Sequence, residues 1–136
     1  MRKAFLILIL FQATVFTYAQ QSGATSKSPE ILDAKTFQAK LAKRPGAILL
    51  DVRTAVEVEA GVIPGAIVID YNAPNFSTKI ETLDKSKPYF VYCKGGSRSK
   101  RAVEQMSKAG FKELYALKDG FDDWINLGLP RAAPND

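Results

Sequence analysis

The chain has 136 residues, 46% of them hydrophobic, the size and composition of one globular domain with its own core. Its net charge of +5 is not gathered into basic patches interleaved with aromatics, so no nucleic-acid partner is expected. There is no histidine and only one cysteine, which excludes histidine acid–base chemistry, histidine or cysteine-cluster metal sites and an internal disulfide; no metal and no cofactor are expected.

The chain opens with the basic Met1-Arg2-Lys3, an apolar run from Ala4 to Phe11 that fades by Phe16, and the small-x-small Thr17-Tyr18-Ala19. These are the three parts of a secretory signal peptide over residues 1–19. The strongly apolar run falls short of the roughly 20 residues a spanning helix needs, so no stable membrane insertion is expected after cleavage. The mature chain is then mildly basic and periplasmic or secreted. A lone thiol in such an oxidising compartment marks a free, reactive cysteine.

Residues 20–30, rich in Ser, Gly and Gln, read as a flexible lead-in to a domain over residues 31–130. Ile31-Leu32 is a first short strand. Asp33 N-caps a helix to about Lys43, with Ala34, Phe37 and Leu41 on its buried stripe. Ala47 to Leu50 is a continuous apolar run, as a central parallel strand should be, with Asp51 at its C-terminal end, the edge where sites gather in open α/β sheets. Thr54 and Glu57 have capping-box spacing for a short helix that Gly61 ends. Ala66 to Ile69 is the next buried strand. Phe76, Ile80 and Leu83 mark an amphipathic helix, and Pro88 to Tyr92 a buried strand. Ala102, Val103, Met106 and Ala109 make one apolar helical stripe, closed by Gly110. Glu113 to Leu117 is the last strand. A final helix beginning at Asp119 or Gly120 buries Phe121, Trp124 and Ile125, and residues 131–136 form a flexible tail. Strands alternate with helices, so the class is α/β with a mostly parallel sheet.

The only cysteine stands where the fourth strand gives way to a helix, in Cys93-Lys94-Gly95-Gly96-Ser97-Arg98-Ser99. A glycine-containing turn there can aim several backbone N–H groups at one point, and the helix N-terminus, Lys94 and Arg98 add positive potential. A thiol so placed is expected to act as a nucleophile or anion cradle rather than as core filling. Asp51, Arg53 and Glu57 have simple structural readings as polar groups that satisfy backbone and support the loop. Lys94 reads equally as an anion-binding cation or as solvent-facing charge, and Arg98 as an anion ligand or as a brace on the loop carbonyls.

The cysteine loop is similar to the active loop of single-domain rhodaneses, the sulfurtransferases that carry a persulfide on this cysteine. Leu50-Asp51-Val52-Arg53-Thr54, Glu57 and Gly61-Val62-Ile63-Pro64-Gly65-Ala66-Ile67 resemble a second signature of the family, and Leu117 to Trp124 with Gly128-Leu129-Pro130 resembles its closing helix. The family usually has histidine where this chain has Val62, so the chain is read as lacking a surface polar group at that turn. The resemblance implies the rhodanese fold, a five-stranded mostly parallel sheet with helices on both faces. It implies transfer of a sulfane sulfur from a donor such as thiosulfate to a thiophilic acceptor, a protein acceptor among the candidates. Cys93 would carry the sulfur, and Lys94, Gly95, Gly96, Ser97, Arg98 and Ser99 would form the loop and donor subsite. A related reading is a persulfide carrier without turnover, or a rhodanese-like binding module of the cell envelope. Phosphate hydrolysis fits less well, because only four residues separate Cys93 from Arg98 and no general acid is evident nearby. Thiol–disulfide exchange lacks a resolving cysteine.

Overall fold

The structure, a computed structural model, describes residues 26–134. In chain order it comprises β1 (Glu30–Leu32), α1 (Ala34–Ala42), β2 (Ile48–Asp51), α2 (Ala55–Val58), β3 (Ile67–Val68), α3 (Phe76–Glu81), β4 (Pro88–Tyr92), α4 (Ser97–Lys108), β5 (Glu113–Leu117) and α5 (Gly120–Asn126). The strands form one sheet in the order β1-β5-β4-β2-β3. All four pairings are parallel, as crossovers through helices require. This is an α/β architecture with a five-stranded parallel sheet and helices on both faces.

The apolar strands bury both faces. Along β4, Tyr89 and Val91 join Leu50, Leu114 and Ala116 in one core, which α3 covers with Phe76 and Ile80 and α4 with Ala102, Val103 and Met106. Phe90 and Tyr92 point the other way, with Leu49, Tyr115 and Leu117, beneath Phe37 of α1, Val58 of α2, and Phe121 and Trp124 of α5. Period-two alternation therefore sorts each strand between two helical layers. The central strands β4 and β2 end together, Asp51 level with Tyr92, so Asp51 and Cys93 emerge at the same sheet edge.

Four local expectations are corrected. The strand expected over Ala66 to Ile69 is only Ile67–Val68, and these side chains are 47% and 41% exposed because β3 is an edge strand with one neighbour. Val62 is not a surface position at all: it is 2% exposed and pairs with Ala132 in an antiparallel bridge. That bridge, with Val62 and Ala132 exchanging N–H···O bonds of 2.9 Å, pins the start of the segment read as a flexible tail. Finally, Glu30 belongs to β1 and not to the lead-in, and its carboxylate accepts from Lys40 of α1 at 2.9 Å. The proposed signal peptide lies outside the described residues.

Candidate active site

The helix that follows the cysteine starts at Ser97, so Cys93 to Gly96 is the whole connection between β4 and α4. So short a turn needs a left-handed residue, and Gly96 supplies it with φ of +98°. The space is as restrictive as the angle: a Cβ on Gly96 would come within 1.8 Å of the Lys118 carbonyl oxygen. Gly120 plays the matching part on the other side, where a Cβ would lie 2.2 Å from the Lys94 carbonyl oxygen. These two glycines let the β5–α5 connection press against the cysteine loop. Phe121 and Asp122, at the start of α5, then donate their backbone N–H groups to the carbonyls of Cys93 and Lys94 at 2.8 and 3.1 Å. Gly95 has no such duty; it is exposed, with open space where a Cβ would stand.

Two backbone N–H groups, one at the end of this loop and one in the first turn of α4, face the sulfur. Gly96 N–H donates to Cys93 Sγ at 3.1 Å and Ser99 N–H donates at 3.4 Å. The thiol lies 3.6 Å from Ser99 Oγ, to which it donates, and the Ser99 hydroxyl in turn donates to the Gly96 carbonyl at 2.9 Å. Cys93 is 1% exposed and Ser99 fully buried, so the sulfur sits at the floor of the loop against the α4 core. A negative sulfur here is met by aligned dipoles at the start of a twelve-residue helix.

The expected donor-binding cations are both already partnered. Arg98 forms a two-pronged ion pair with Glu57, Nη1 to Oε2 at 2.8 Å and Nη2 to Oε1 at 2.7 Å. The reading of Arg98 as a brace on the loop carbonyls is thereby corrected: the guanidinium fork matches a carboxylate better than it matches single carbonyls, and Glu57 offers one. Glu57 also closes the capping box of α2, accepting from Thr54 N–H at 3.0 Å. The Arg98 hydrogen bonds, opposed by partial burial and assisted by Thr54, hold the Glu57 carboxyl at about 2 against an ordinary 4.5. Lys94 reaches Asp122 at 2.7 Å, both side chains 54% exposed, so it is a solvent-facing cation with a carboxylate at its tip.

Beneath them lies a buried pair. Arg53 and Asp51 are 1% and 0% exposed. Arg53 donates through Nε and Nη2 to both Asp51 oxygens and through its remaining N–H groups to the carbonyls of Glu57 and Gly61 at 3.1 and 2.7 Å. Its guanidinium stacks 4.0 Å from the Phe121 ring centre. A buried charge is tolerable only when its donors are spent in this way. Arg53 therefore ties the end of β2 to the C-terminal end of α2, to the turn that follows it and to α5. Tyr92 assists by accepting from Ile63 N–H at 3.0 Å, and burial pushes its phenol well above the ordinary range.

An open cleft of about 440 Å³ runs beside the loop, walled by Arg53, Val56, Glu57, Ala60, Lys94, Phe121, Asp122, Ile125, Asn126 and Arg131. Cys93 is not part of its wall. The structure thus brings all ten sequence-selected residues to one sheet edge, with Asp51 and Arg53 as the buried support, Glu57 and Lys94 at the cleft, and Cys93, Gly96 and Ser99 around the sulfur. Sequence reasoning passed over Asp122, Gly120 and Arg131. The acidic first turn of α5 was a usable signal for Asp122 as a helix-dipole partner, but nothing local pairs it with Lys94.

The model of the rhodanese-like domain family matches residues 33–127 of the chain. A protein named sulfurtransferase from Allochromatium vinosum is 27% identical over 103 residues, which cover 76% of this chain and 94% of that relative. A thiosulfate sulfurtransferase from Pseudomonas savastanoi pv. phaseolicola is 31% identical over 87 residues, 64% of this chain and 80% of its own length. Among solved structures, a rhodanese-related protein from Thermoplasma volcanium superposes with a TM-score of 0.67 at 28% identity, covering 77% of this chain and 99% of that one.

Proposed function

The chain belongs to the rhodanese-like domain family, and on that premise we propose that it is a sulfurtransferase that passes a sulfane sulfur from a donor such as thiosulfate to a thiophilic acceptor through a persulfide on Cys93. The observation that carries this reading is the pair of backbone N–H groups, Gly96 and Ser99, aimed at the sulfur from 3.1 and 3.4 Å. Relatives named sulfurtransferase and thiosulfate sulfurtransferase support the same class of reaction.

In the first step the Cys93 thiolate attacks the outer sulfur of thiosulfate. A bond forms from Sγ to that sulfur, the donor's S–S bond breaks, and its electron pair leaves with sulfite. In the second, a nucleophilic acceptor attacks the outer sulfur and Sγ departs as thiolate. Two easier displacements replace one. The loop N–H groups stabilise the negative sulfur before and after transfer without moving. Gly96 gives the loop its shape, Ser99 fixes the position of the thiol, and Gly95 and Ser97 present exposed backbone at the mouth. Lys94 and Arg98 receive an anionic donor only in competition with Asp122 and Glu57. Asp51, Arg53 and Glu57 hold the loop's surroundings and touch no reacting atom.

Residues 1–19 support export to the periplasm or beyond, with a mature chain starting at Gln20 or Gln21. Sequencing the N-terminus of protein recovered from its native compartment checks this; retained Met1 contradicts it. The transferase reading itself is tested by steady-state turnover of the purified mature protein across several sulfur donors and thiol acceptors. Turnover with at least one pair supports an enzyme. A stoichiometric persulfide that never turns over supports a carrier instead.

A further inference from the structure

The segment after α5 returns to the site. Trp124 Nε1–H donates to the Pro130 carbonyl at 2.7 Å, which holds the chain against the domain, and two residues later Ala132 pairs with Val62 through both its N–H and its carbonyl. Arg131 lies between these two anchors. Its backbone is therefore held on both sides. Its aliphatic stem crosses Gly61, where Arg131 Cδ sits 3.5 Å from the place a Cβ would occupy. Gly61 is itself held from inside by Arg53, through the hydrogen bond to its carbonyl. The strap is thus fastened to the same buried arginine that supports the cysteine loop, and it delivers the Arg131 side chain to the wall of the cleft.

Three cations reach that wall, and two are spent. Arg53 is matched by Asp51, and Lys94 by Asp122. Glu57, the wall's other carboxylate, is matched by Arg98. Among the described residues Arg131 makes no ion pair and no side-chain hydrogen bond, so the cleft has one uncompensated charge, and it is positive. The same cleft has apolar footing in Val56, which is 75% exposed, and in Ile125. A volume of about 440 Å³ lies within the range that takes small organic ligands, and is far larger than an inorganic sulfur anion requires.

We propose that Arg131 is a positioning residue for the sulfur acceptor, binding the carboxylate of a small, peptide-sized thiol seated in this cleft beside the cysteine loop. This rests on the sulfurtransferase reading and names the acceptor class for it. With its carboxylate on Arg131 and its stem against Val56 and Ile125, the acceptor presents its thiol at the Lys94 side of the loop. There the thiolate attacks the outer sulfur of the Cys93 persulfide. The new S–S bond forms on the acceptor, the Sγ–S bond breaks, and the electron pair returns to Sγ, with no net oxidation or reduction.

The test uses one N-acetylated, cysteine-containing tripeptide in two forms, with a free C-terminal carboxylate and with a C-terminal amide, so that the thiol is the same. Binding of each form to the unloaded protein is followed by calorimetry, and transfer from sulfur-loaded Cys93 by rapid mixing. The wild type should favour the acid form by roughly three- to tenfold in Kd and KM, the scale of one partly exposed charged contact. Arg131→Ala should abolish the preference, Arg131→Glu should reverse it, and Arg131→Lys should keep part of it. An equal preference in wild type and Arg131→Ala, or no preference in the wild type, overturns the proposal. Should the wild type accept no sulfur from any donor, the transferase reading fails by itself, and the calorimetry still decides whether Arg131 holds the carboxylate.

Discussion

Arg98, in the first turn of α4, and Glu57, in the first turn of α2, meet as a two-pronged ion pair across 41 residues of sequence. The same Glu57 carboxylate closes its own helix cap, so one side chain sets the N-terminus of α2 and the side of the cysteine loop together. This couples loop geometry to the ionisation of a single carboxyl.

That coupling has a pH signature. The Glu57 carboxyl is lowered from 4.5 to about 2 in the folded protein. A carboxyl depressed by folding stabilises the native state fully above its unfolded value and loses that contribution as pH falls through the folded one. Thermal unfolding of wild type and Glu57→Gln should therefore differ most at neutral pH, by about 1–2 kcal/mol for a charged pair that is mostly but not fully shielded. The gap should narrow from about pH 4.5 downward and be nearly gone by pH 2. A gap independent of pH contradicts the pairing.

Freeing Lys94 should sharpen the site's response to anions. Asp122→Asn removes the carboxylate that holds Lys94 Nζ at 2.7 Å. Its KM for thiosulfate should fall a few-fold, while Lys94→Ala should raise it, and both should leave the alkylation rate of Cys93 close to wild type. Unchanged KM in both variants would show that this cation has no part in donor binding.

The two loop glycines should respond very differently to the same substitution. Gly96→Ala forces a side chain into a left-handed position facing the Lys118 carbonyl, with a contact no Cβ tolerates. It should cost at least about 2 kcal/mol and displace the N–H groups from the sulfur. Gly95→Ala meets open space and should change stability by no more than about 0.5 kcal/mol. Chemical denaturation of the two variants, compared with the sulfur-transfer rate of each, checks this. Equal effects contradict the assigned role of Gly96.

The pattern of these contacts explains what could be read from the sequence. Apolar runs such as Ala47 to Leu50 and Pro88 to Tyr92, punctuated by glycine and helical stripes, specify the alternating strands and helices, because that information is local and periodic. The Thr54–Glu57 capping box was legible for the same reason. The second partner of Glu57 was not: Arg98 comes close only because β2 and β4 are sheet neighbours that end level. Lys94 and Asp122 lie 28 residues apart and meet only because α5 starts on the cysteine loop. Ile67 and Val68 looked like core because apolar residues carry no mark of an edge strand. Val62 looked like surface because its cover, Ala132, lies beyond the last helix. Local chemistry and the family resemblance together selected ten candidate site residues, while the charge pairing around them is a property of the topology.

The most direct measurement is the intact mass of fully reduced protein before and after addition of thiosulfate. The sample is reduced first and its starting mass recorded, because an oxidised sulfur cannot attack the donor. Wild type should gain one sulfur atom, ~32 Da, by the covalent route, lose it to cyanide with release of thiocyanate, and show neither change as Cys93→Ser, which should remain folded. Absence of the adduct in wild type with thiosulfate, with other persulfide donors and with thiosulfonates would contradict sulfur transfer through Cys93 and leave a binding module as the better description.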